Sequence, residues 1–451
     1  MKKSLSTILF LFFFAVLHAQ PAPHGQPAAR HVVLITIDGM RPEFYRDLSW
    51  PAPNLQHLVS EGAYALQVRP VFPTVTLPNH TAMVTGALPA RSGVYLNSPF
   101  TPLSTSPAWN FYASIIKVPT LFDVVHATGQ VTAAIDWPVT VGATSIDYNF
   151  PDYWGFNDST DNIALTRSAV HPAGLWEELE TNALGKVPGE EINSDHFLRT
   201  DENAGRIAAY LIMKYRPAFT AFHITETDHA QHDHGREGYE VRAAVAAADR
   251  AVGDVLEAIA RAGIRDSTTV IIAGDHGFAD IHAALCPNIW LAQNDLLRKG
   301  PHWRARFQSA SGAALLYLED KKDTKTLAAV LQVLNGLPTK YRGLFRMLER
   351  PELDRLGVDS AAALALSPQL GIAISGASEG EVLRAAHGGT HGFMNDEPQM
   401  MTGFIAWGAG IRNGTVITVM GTQDIAPLIA KLLGINFNCP DGVLYPGILK
   451  K

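Results

Sequence analysis

The sequence predicts an α/β protein whose doubly wound, mainly parallel sheet is flanked by helices. Three apolar, β-branched runs support this prediction, at 31–37, 218–225 and 268–274. Runs of this length without polar alternation are typical of central parallel strands that are buried on both faces. Helical periodicity at 201–214 and 239–262 supplies the alternation of strand and helix that such a sheet requires.

Acidic and histidine residues follow each of these three predicted strands. Asp38 follows the first strand, Asp228 and His232 follow the second, and Asp275 and His276 follow the third. The carboxyl ends of parallel strands form the ligand-binding edge of an open α/β sheet, so these side chains are expected to meet there. Carboxylates together with imidazoles favour a catalytic divalent-metal centre, with zinc as the best match. The sequence therefore predicts an enzyme.

The composition is that of an ordinary globular protein. Of the 451 residues, 47% are apolar and 18% are charged, and the formal net charge is −7. The chain has no block of Lys or Arg, which binding to a nucleic-acid polymer would require. A nucleic-acid polymer is therefore not expected as a partner.

The first residues have the features of an export signal. Lys2 and Lys3 precede an apolar run at 8–17, and Ala19 offers a small residue for cleavage. Because this run is too short to span a bilayer, 1–20 is predicted to be a signal peptide, with a membrane-anchored form as the alternative. We expect a flexible linker at 21–29, and then a periplasmic or secreted catalytic domain at 30–450 that keeps no stable membrane anchor after signal cleavage.

The residues at about 299–385 differ from the alternating pattern and are expected to form a small inserted subdomain near the site. They contain a predicted strand at 312–318 and a charged helix start at 319–324. After them, the pattern predicts a strand at 399–406 and a closing helix at 422–433.

Two properties stay open at this point. An exported protein can form a disulfide, but the spacing of Cys286 and Cys439 does not show whether they approach each other. The sequence also does not give the oligomeric state.

A segment rich in Thr and Pro, at 69–80, contains a potential nucleophile. Pro78 is suited to the first position of a helix that runs to about Thr85 and ends at Gly86. Thr76 would then lie at or just before the helix N-terminus, where the macrodipole and unpaired N–H groups favour an anion. Metal coordination would lower the pKa of its hydroxyl and make it a nucleophile. From this segment alone, a role as a helix N-cap is equally well supported for Thr76.

A series of motifs, in order along the chain, resembles the nucleotide pyrophosphatase/phosphodiesterase family of the alkaline phosphatase superfamily. The motifs are Asp38-Gly39, Phe72-Pro-Thr-Val-Thr-Leu-Pro-Asn-His80, Thr85-Gly86, Ser92-Gly93, Asn97, Asp228-x-x-x-His232, Asp275-His276-Gly277, Gly389-Thr-His391-Gly392 and Pro398-Gln-Met-Met-Thr-Gly-Phe-Ile405. The resemblance extends from about residue 30 to 450 and implies an alkaline phosphatase-like fold.

The resemblance implies two zinc ions and a threonine nucleophile. It assigns Asp38, Thr76, Asp275 and His276 to one zinc, and Asp228, His232 and His391 to the other. Thr76 would attack phosphorus and form a phosphothreonine, and the side-chain amide of Asn97 would donate to a phosphoryl oxygen. The spacing of four between Asp228 and His232 suits one helical face.

Three further histidines are interpreted differently. His229 and His234 are expected to lie outside the ligand set, and His80 is expected to pack beneath the nucleophile segment.

The resemblance implies a small-molecule phosphodiester or nucleotide substrate. Threonine-using monoesterases of the superfamily carry a Lys-x-Arg pair, whereas 134–142 has no basic residue and its Trp137-Pro138 resembles the diesterases. Leu77 stands where nucleotide-cleaving members have an aromatic residue that stacks on the base, so the resemblance does not predict strong base stacking here. Tyr153 and Trp154 are candidates for another wall of the substrate site.

Two alternatives remain. The same two-metal site could serve a phosphomonoesterase, or the chain could be a zinc- or phosphate-binding protein without catalysis. Only a measurement of turnover would distinguish the non-catalytic protein from an enzyme, because both would contain the same metals.

Overall fold

The structure, a computed structural model, describes residues 27–102, 108–156, 160–186, 197–298 and 303–451. The predicted signal peptide at 1–20 and most of the predicted linker at 21–29 lie outside the described residues. Within the described ranges, no helix is long and apolar enough to cross a membrane.

An eight-stranded sheet forms the centre of the fold. Its strands are β1 (His31–Ile37), β2 (Ala63–Arg69), β3 (Thr132–Ile135), β4 (Tyr148–Phe150), β5 (Phe219–Ile224), β6 (Thr268–Ala273), β7 (Phe404–Gly408) and β8 (Thr415–Gly421). Their order across the sheet is β8-β2-β7-β6-β1-β5-β3-β4. Neighbouring strands are parallel except where β7 pairs with β2 and β6. The mainly parallel sheet predicted from the sequence is therefore confirmed.

Four helices position the site. They are α1 (Thr76–Thr85), α2 (Phe197–Tyr215), α3 (Glu226–His234) and α4 (Tyr239–Arg261). Other α-helices are Glu43–Arg46, Pro53–Glu61, Pro89–Ser92, Leu121–His126, Asn162–Ala169, Leu175–Leu179, Pro287–Gln293, Thr324–Asn335, Thr339–Arg342, Arg350–Leu356 and Ile425–Leu432. Single turns of 3₁₀ or π helix lie at Ala113–Ile115, Glu180–Leu184, Arg265–Ser267, Pro398–Met400, Thr422–Asp424 and Pro446–Ile448.

Strand β1 shows why both faces of the sheet are covered. Val33 and Ile35 belong to an apolar cluster that includes residues of α2 and α4, whereas Val32 and Leu34 belong to a second cluster with residues of α1 and Ile425–Leu432. Side chains alternate between the two faces of a strand, so a wholly apolar strand is stable only between two covering layers.

A separate four-stranded antiparallel sheet lies within the predicted insertion. Its strands are Ala305–Ser309, Ala314–Leu318, Phe345–Leu348 and Leu364–Pro368. The strand predicted at 312–318 begins later, because Ala310 and Ala313 close the preceding hairpin turn with a backbone hydrogen bond. The division of the chain into domains stays a prediction.

The helix start predicted at 319–324 is wrong by several residues. The helix Thr324–Asn335 begins where the Asp323 carboxylate accepts the N–H of Thr326. A carboxylate at the N-cap satisfies one of the unpaired donors of the first turn, so this residue sets the boundary.

Two predicted elements after the insertion begin with 3₁₀ turns. The predicted strand at 399–406 starts as the turn Pro398–Met400, and only its end belongs to β7. The predicted helix at 422–433 starts as the turn Thr422–Asp424.

Short strands near the site form two further small sheets. They are Ala279–Asp280 with Gly389–Thr390, and Ala283–Leu285 with Ile372–Ile374 and Leu383–Ala385. Cys286 and Cys439 are both free, which answers the question of a disulfide between them.

Candidate active site

The carboxyl ends of β6, β1 and β5 lie side by side and carry the predicted ligands. β1 pairs in parallel with both neighbours. Asp38 follows β1 directly, Asp275 follows β6 after one residue, and α3, which starts just after β5, carries Asp228 in its first turn. The parallel register therefore brings three carboxylates together although they are far apart in sequence.

One donor group consists of Asp228, His232 and His391, whose potential ligand atoms lie within 4.8 Å of one another. His232 Nε2 is 3.4 Å from Asp228 Oδ2, and His391 Nε2 is 3.6 Å from Asp228 Oδ1. Helix α3 contains both Asp228 and His232, so the spacing of four does place them on one face.

The second donor group consists of Asp38, Asp228 and His276. His276 Nε2 is 3.3 Å from Asp38 Oδ1 and 3.2 Å from Asp275 Oδ2. Asp228 therefore borders both groups, although the resemblance assigned it to one zinc only.

Backbone carbonyls orient all three imidazoles. The Nδ1 atoms of His232, His276 and His391 lie 3.0, 3.2 and 3.0 Å from the carbonyl oxygens of Gly389, Gly277 and Thr74, respectively. A ring whose Nδ1–H donates to a carbonyl presents an unprotonated Nε2, which is the form that binds a metal.

Burial makes this cluster a good fit for cations. Asp38 Oδ1, Asp228 Oδ1 and Asp275 Oδ2 are buried without a hydrogen-bond partner. Burial, with neighbouring carboxylates as a second cause, raises the pKa of Asp38 and Asp275 well above the ordinary value. Burial lowers the pKa of His391 to about 4 and that of His276 well below its ordinary value. Unpartnered carboxylate oxygens facing neutral imidazoles are the donor set that a divalent cation such as zinc requires.

Helix α1 begins at Thr76 rather than at Pro78. The N-cap is Val75, which makes no side-chain cap, so the hydroxyl of Thr76 is not an N-cap. Instead, Thr76 Oγ1 lies 3.5 Å from His276 Nε2. Gly86, at φ 64°, ends the helix as predicted, because this left-handed conformation suits glycine. The hydroxyl therefore lies both at a helix N-terminus and beside a donor group.

Asn97 is fixed against the same helix. The N–H of Leu77 donates to Asn97 Oδ1 at 2.9 Å. Asn97 lines the cavity that also contains Thr76. Because its oxygen is held by the backbone, the amide NH₂ is the group that it can offer to a ligand.

A cavity of about 490 Å³ adjoins Thr76 and Asn97. The predicted substrate-binding residues Leu77, Tyr153 and Trp154 all line it. Leu77 is only 1% exposed because it packs in a small apolar cluster, so it presents little surface to a base. The aromatic surface of the cavity comes from Tyr153, Trp154, Phe150 and Trp109.

Sequence reasoning missed three polar residues at this site. His223 Nε2 lies 3.2 Å from Asp38 Oδ2, and its Nδ1 lies 3.2 Å from the carbonyl oxygen of Asp136. The sequence did contain a signal for His223, which is a histidine inside a mostly apolar strand. A buried polar group of this kind needs hydrogen-bond partners. Asp136 and Asp152 line the cavity, and burial raises the pKa of Asp152 to about 7. Asp136 directly follows β3, so the pattern that identified Asp38 also applies to it.

The three other histidines named in the sequence analysis lie on α1 and α3. His80 is a fully buried residue of α1, with its ring nitrogens 2.9 Å from Thr36 Oγ1 and from the carbonyl oxygen of Thr76. The side chain of His234 is 45% exposed. His229 lines the cavity without belonging to either donor group.

Curated relatives resemble the chain over half or nearly all of its length. An uncharacterized pyrophosphatase/phosphodiesterase of Schizosaccharomyces pombe is 27% identical over 253 residues, which are 55% of this chain and 44% of that protein. A mouse bis(5′-adenosyl)-triphosphatase, enpp4, is 23% identical over 456 residues, which are 98% of this chain and 86% of that protein. The chain thus matches less than half the length of the first relative.

A solved structure and a family profile complete the comparison. Murine ectonucleotide pyrophosphatase/phosphodiesterase 5, an inactive threonine-to-alanine variant in complex with AMP, matches with a TM-score of 0.64 at 18% identity, covering 90% of this chain and 96% of that chain. This likeness shows the alkaline phosphatase-like fold. The sequence profile described as Type I phosphodiesterase / nucleotide pyrophosphatase matches residues 32–394. The chain therefore belongs to the nucleotide pyrophosphatase/phosphodiesterase family of the alkaline phosphatase superfamily.

Proposed function

We propose that this protein hydrolyses phosphodiester or pyrophosphate bonds of small molecules, using two zinc ions and a phosphothreonine intermediate. The position of Thr76 is the observation that supports this most directly. Its Oγ1 is 3.5 Å from His276 Nε2, at a helix N-terminus and on the wall of the cavity. A hydroxyl that adjoins both a cation site and an anion-attracting helix end is well placed to attack a phosphoryl group.

The residues that would hold the ions are those of the two donor groups, together with Thr76 and Asp275, which adjoin His276 of the second group. One zinc would be bound by Asp38, Thr76, Asp275 and His276, and the other by Asp228, His232 and His391. Because Asp228 borders both donor groups, its carboxylate would also lie beside the first zinc. When bound, zinc supplies Lewis-acid stabilisation of phosphoryl charge and lowers the pKa of a coordinated hydroxyl.

Thr76, Asn97 and the N-terminus of α1 have separate roles in the reaction. Thr76 Oγ1 forms a bond to phosphorus while the bond to the leaving oxygen breaks, and water then cleaves the phosphothreonine and restores the hydroxyl. Asn97, whose oxygen is held by the Leu77 N–H, donates its NH₂ to a nonbridging phosphoryl oxygen. The N-terminus of α1 adds a favourable dipole for the charge that develops there.

The charge of the cavity favours a diester over a monoester. Among the described residues that line it are Asp136 and Asp152, but no Lys or Arg. The extra negative charge of a monoester would lie beside these acidic side chains without a basic partner. A nucleotide arm is supported by the AMP complex of the murine relative, and Tyr153 and Trp154 offer it ring faces. A phosphomonoesterase is the second candidate because the same metal site can serve it.

We also propose that the protein is exported to the periplasm or the medium, on the basis of the signal peptide predicted at 1–20.

The test is kcat/KM of the zinc-loaded mature protein on three substrates. They are bis-p-nitrophenyl phosphate, thymidine 5′-monophosphate p-nitrophenyl ester and p-nitrophenyl phosphate. A preference for the two diesters supports the proposal, and their ratio shows whether a base is recognised despite Leu77. A preference for the monoester would overturn the diesterase proposal, and zinc binding without turnover would indicate the non-catalytic alternative.

A further inference from the structure

Arg236 lies just after α3 and contacts two other segments that carry predicted metal ligands. Its Nη1 donates to the carbonyl oxygen of Phe278 at 2.6 Å, and its Nη2 donates to Glu43 Oε1 at 2.7 Å. Its own carbonyl oxygen accepts a hydrogen bond of 2.7 Å from Arg41 Nη2. One residue therefore joins three separate loops.

Each of these loops begins with predicted ligands. Arg41 and Glu43 follow Asp38 after β1, and Phe278 follows Asp275 and His276 after β6. Arg236 itself is four residues beyond His232, just past the end of α3. The contacts of Arg236 are thus made within a few residues of both donor groups.

The charge arrangement makes this connection stiff. Glu43 Oε1 lies between two guanidinium groups, 2.9 Å from Arg41 Nη1 and 2.7 Å from Arg236 Nη2. The side chain of Arg41 is 1% exposed. The charge-assisted hydrogen bond from Arg236 to Glu43 is stronger than a neutral one, and loss of Glu43 would take the nearest carboxylate away from the buried guanidinium of Arg41. Movement of one loop relative to the others is therefore costly.

Phe278 links this network to the imidazoles. Its ring is fully buried, with centroids 5.0, 5.8 and 5.4 Å from those of His232, His276 and His391. A Cβ added to Gly39 would lie 2.8 Å from the same ring, so the ring has no free space on that side. A shift of the Phe278 backbone, which Arg236 holds, would therefore move histidines of both donor groups.

We propose that Arg236, through Glu43 and Phe278, is a positioning residue that fixes the two metal donor groups relative to each other. This inference rests on the proposed two-zinc function. None of the three residues is among the described residues that line the substrate cavity, so their effect is expected on the metals rather than on substrate contacts.

The test is Arg236→Met in the full mature chain, because methionine removes all the donors and keeps an apolar stem. Zinc affinities are measured by competition with a chelator, and the zinc–zinc separation by X-ray absorption. We expect the weaker zinc to bind about 10–100-fold less tightly, the zinc–zinc signal to broaden, and kcat to fall more than KM changes. Arg236→Lys should be intermediate, since one ammonium cannot reproduce the planar fork.

Arg350 provides a matched control. Its Nη1 donates to the carbonyl oxygens of Asp359 and Ala362, and its Nε donates to Asp354. Its side chain is 29% exposed, compared with 21% for Arg236, and it lies beside the separate four-stranded sheet. Arg350→Met should lower the melting temperature but leave both zinc affinities unchanged.

Wild-type zinc affinities and zinc–zinc separation in Arg236→Met would overturn the inference, as would an equal loss of zinc in Arg350→Met. If Arg236→Met does not fold, Glu43→Gln removes the shared charge while keeping the shape, and wild-type zinc affinity in that variant would also overturn it. A wild-type protein that binds two zinc ions without turnover would contradict only the proposed function, and the affinity comparison would still decide this inference. A wild-type protein that binds no zinc would contradict both.

Discussion

The imidazole rings of His276 and His391 are stacked, with centroids 3.7 Å apart and an interplanar angle of 11°. The two residues belong to different donor groups, and Asp228 belongs to both. The two groups therefore form one continuous site rather than two independent ones. A change in the shared residue should affect both metals, whereas a change in a residue of one group should not.

The metal content of variants tests whether Asp228 is shared by the two donor groups. We expect Asp228→Ala to lose both zinc ions and His232→Ala to keep one, because only the aspartate borders both groups. Zinc per chain, measured by mass spectrometry after dialysis, checks the prediction. Two zinc ions retained in Asp228→Ala would mean that the shared carboxylate is not a ligand.

Thr76→Ala should bind zinc but lose at least about 10³-fold in kcat, because the covalent route disappears. Thr76→Ser is the control, since it keeps a hydroxyl at the same position, and it should retain much more activity. Steady-state rates on bis-p-nitrophenyl phosphate give the measurement. Rates close to wild type in Thr76→Ala would show that another group is the nucleophile.

The Asn97→Asp variant tests the NH₂ group of the Asn97 amide separately from its oxygen. Aspartate keeps an oxygen for the Leu77 N–H but removes the NH₂ donor. We expect kcat to fall by about 10²–10³-fold, the range seen when one transition-state donor is removed. The melting temperature should change little, because the contact with α1 persists. An active Asn97→Asp would assign Asn97 a purely structural role.

Zinc should stabilise the protein more at pH 8 than at pH 6. Burial raises the pKa of Asp38 and Asp275, so the zinc-free protein holds protons there that zinc must displace, and displacement becomes easier as pH rises. His391, with its pKa lowered to about 4, is already neutral across this range. Melting temperatures with and without a chelator measure the difference, and an equal shift at both pH values would contradict the prediction.

Asp152 should make substrate preference depend on pH. Burial raises the pKa of its carboxyl to about 7, so it is mostly neutral at pH 6 and mostly ionised at pH 8. We compare kcat/KM for a p-nitrophenyl diester that carries a trimethylammonium arm with kcat/KM for bis-p-nitrophenyl phosphate. The ratio of the first value to the second should rise several-fold from pH 6 to pH 8. Asp152→Asn should abolish the rise. The same pH dependence in that variant would exclude Asp152 as its origin.

Prediction from sequence succeeded where the information is local. A run of apolar residues long enough to be a strand buried on both faces is visible in the chain itself, so β1, β5 and β6 were identified within two residues at either end. Asp38, Asp228 and Asp275 could be predicted as candidate ligands because each follows such a strand closely, and parallel strands share one ligand-binding edge.

By itself, then, the sequence determined the fold class, the central strands and the candidate metal-binding residues, because periodicity and strand-end position are properties of neighbouring residues. Only the tertiary structure decided that Asp228 borders both donor groups, that His223 contacts Asp38, and that the two cysteines stay apart. It also placed Arg236 between the loops that carry the ligands. These relationships depend on strand order and on packing between distant segments, which no local pattern records.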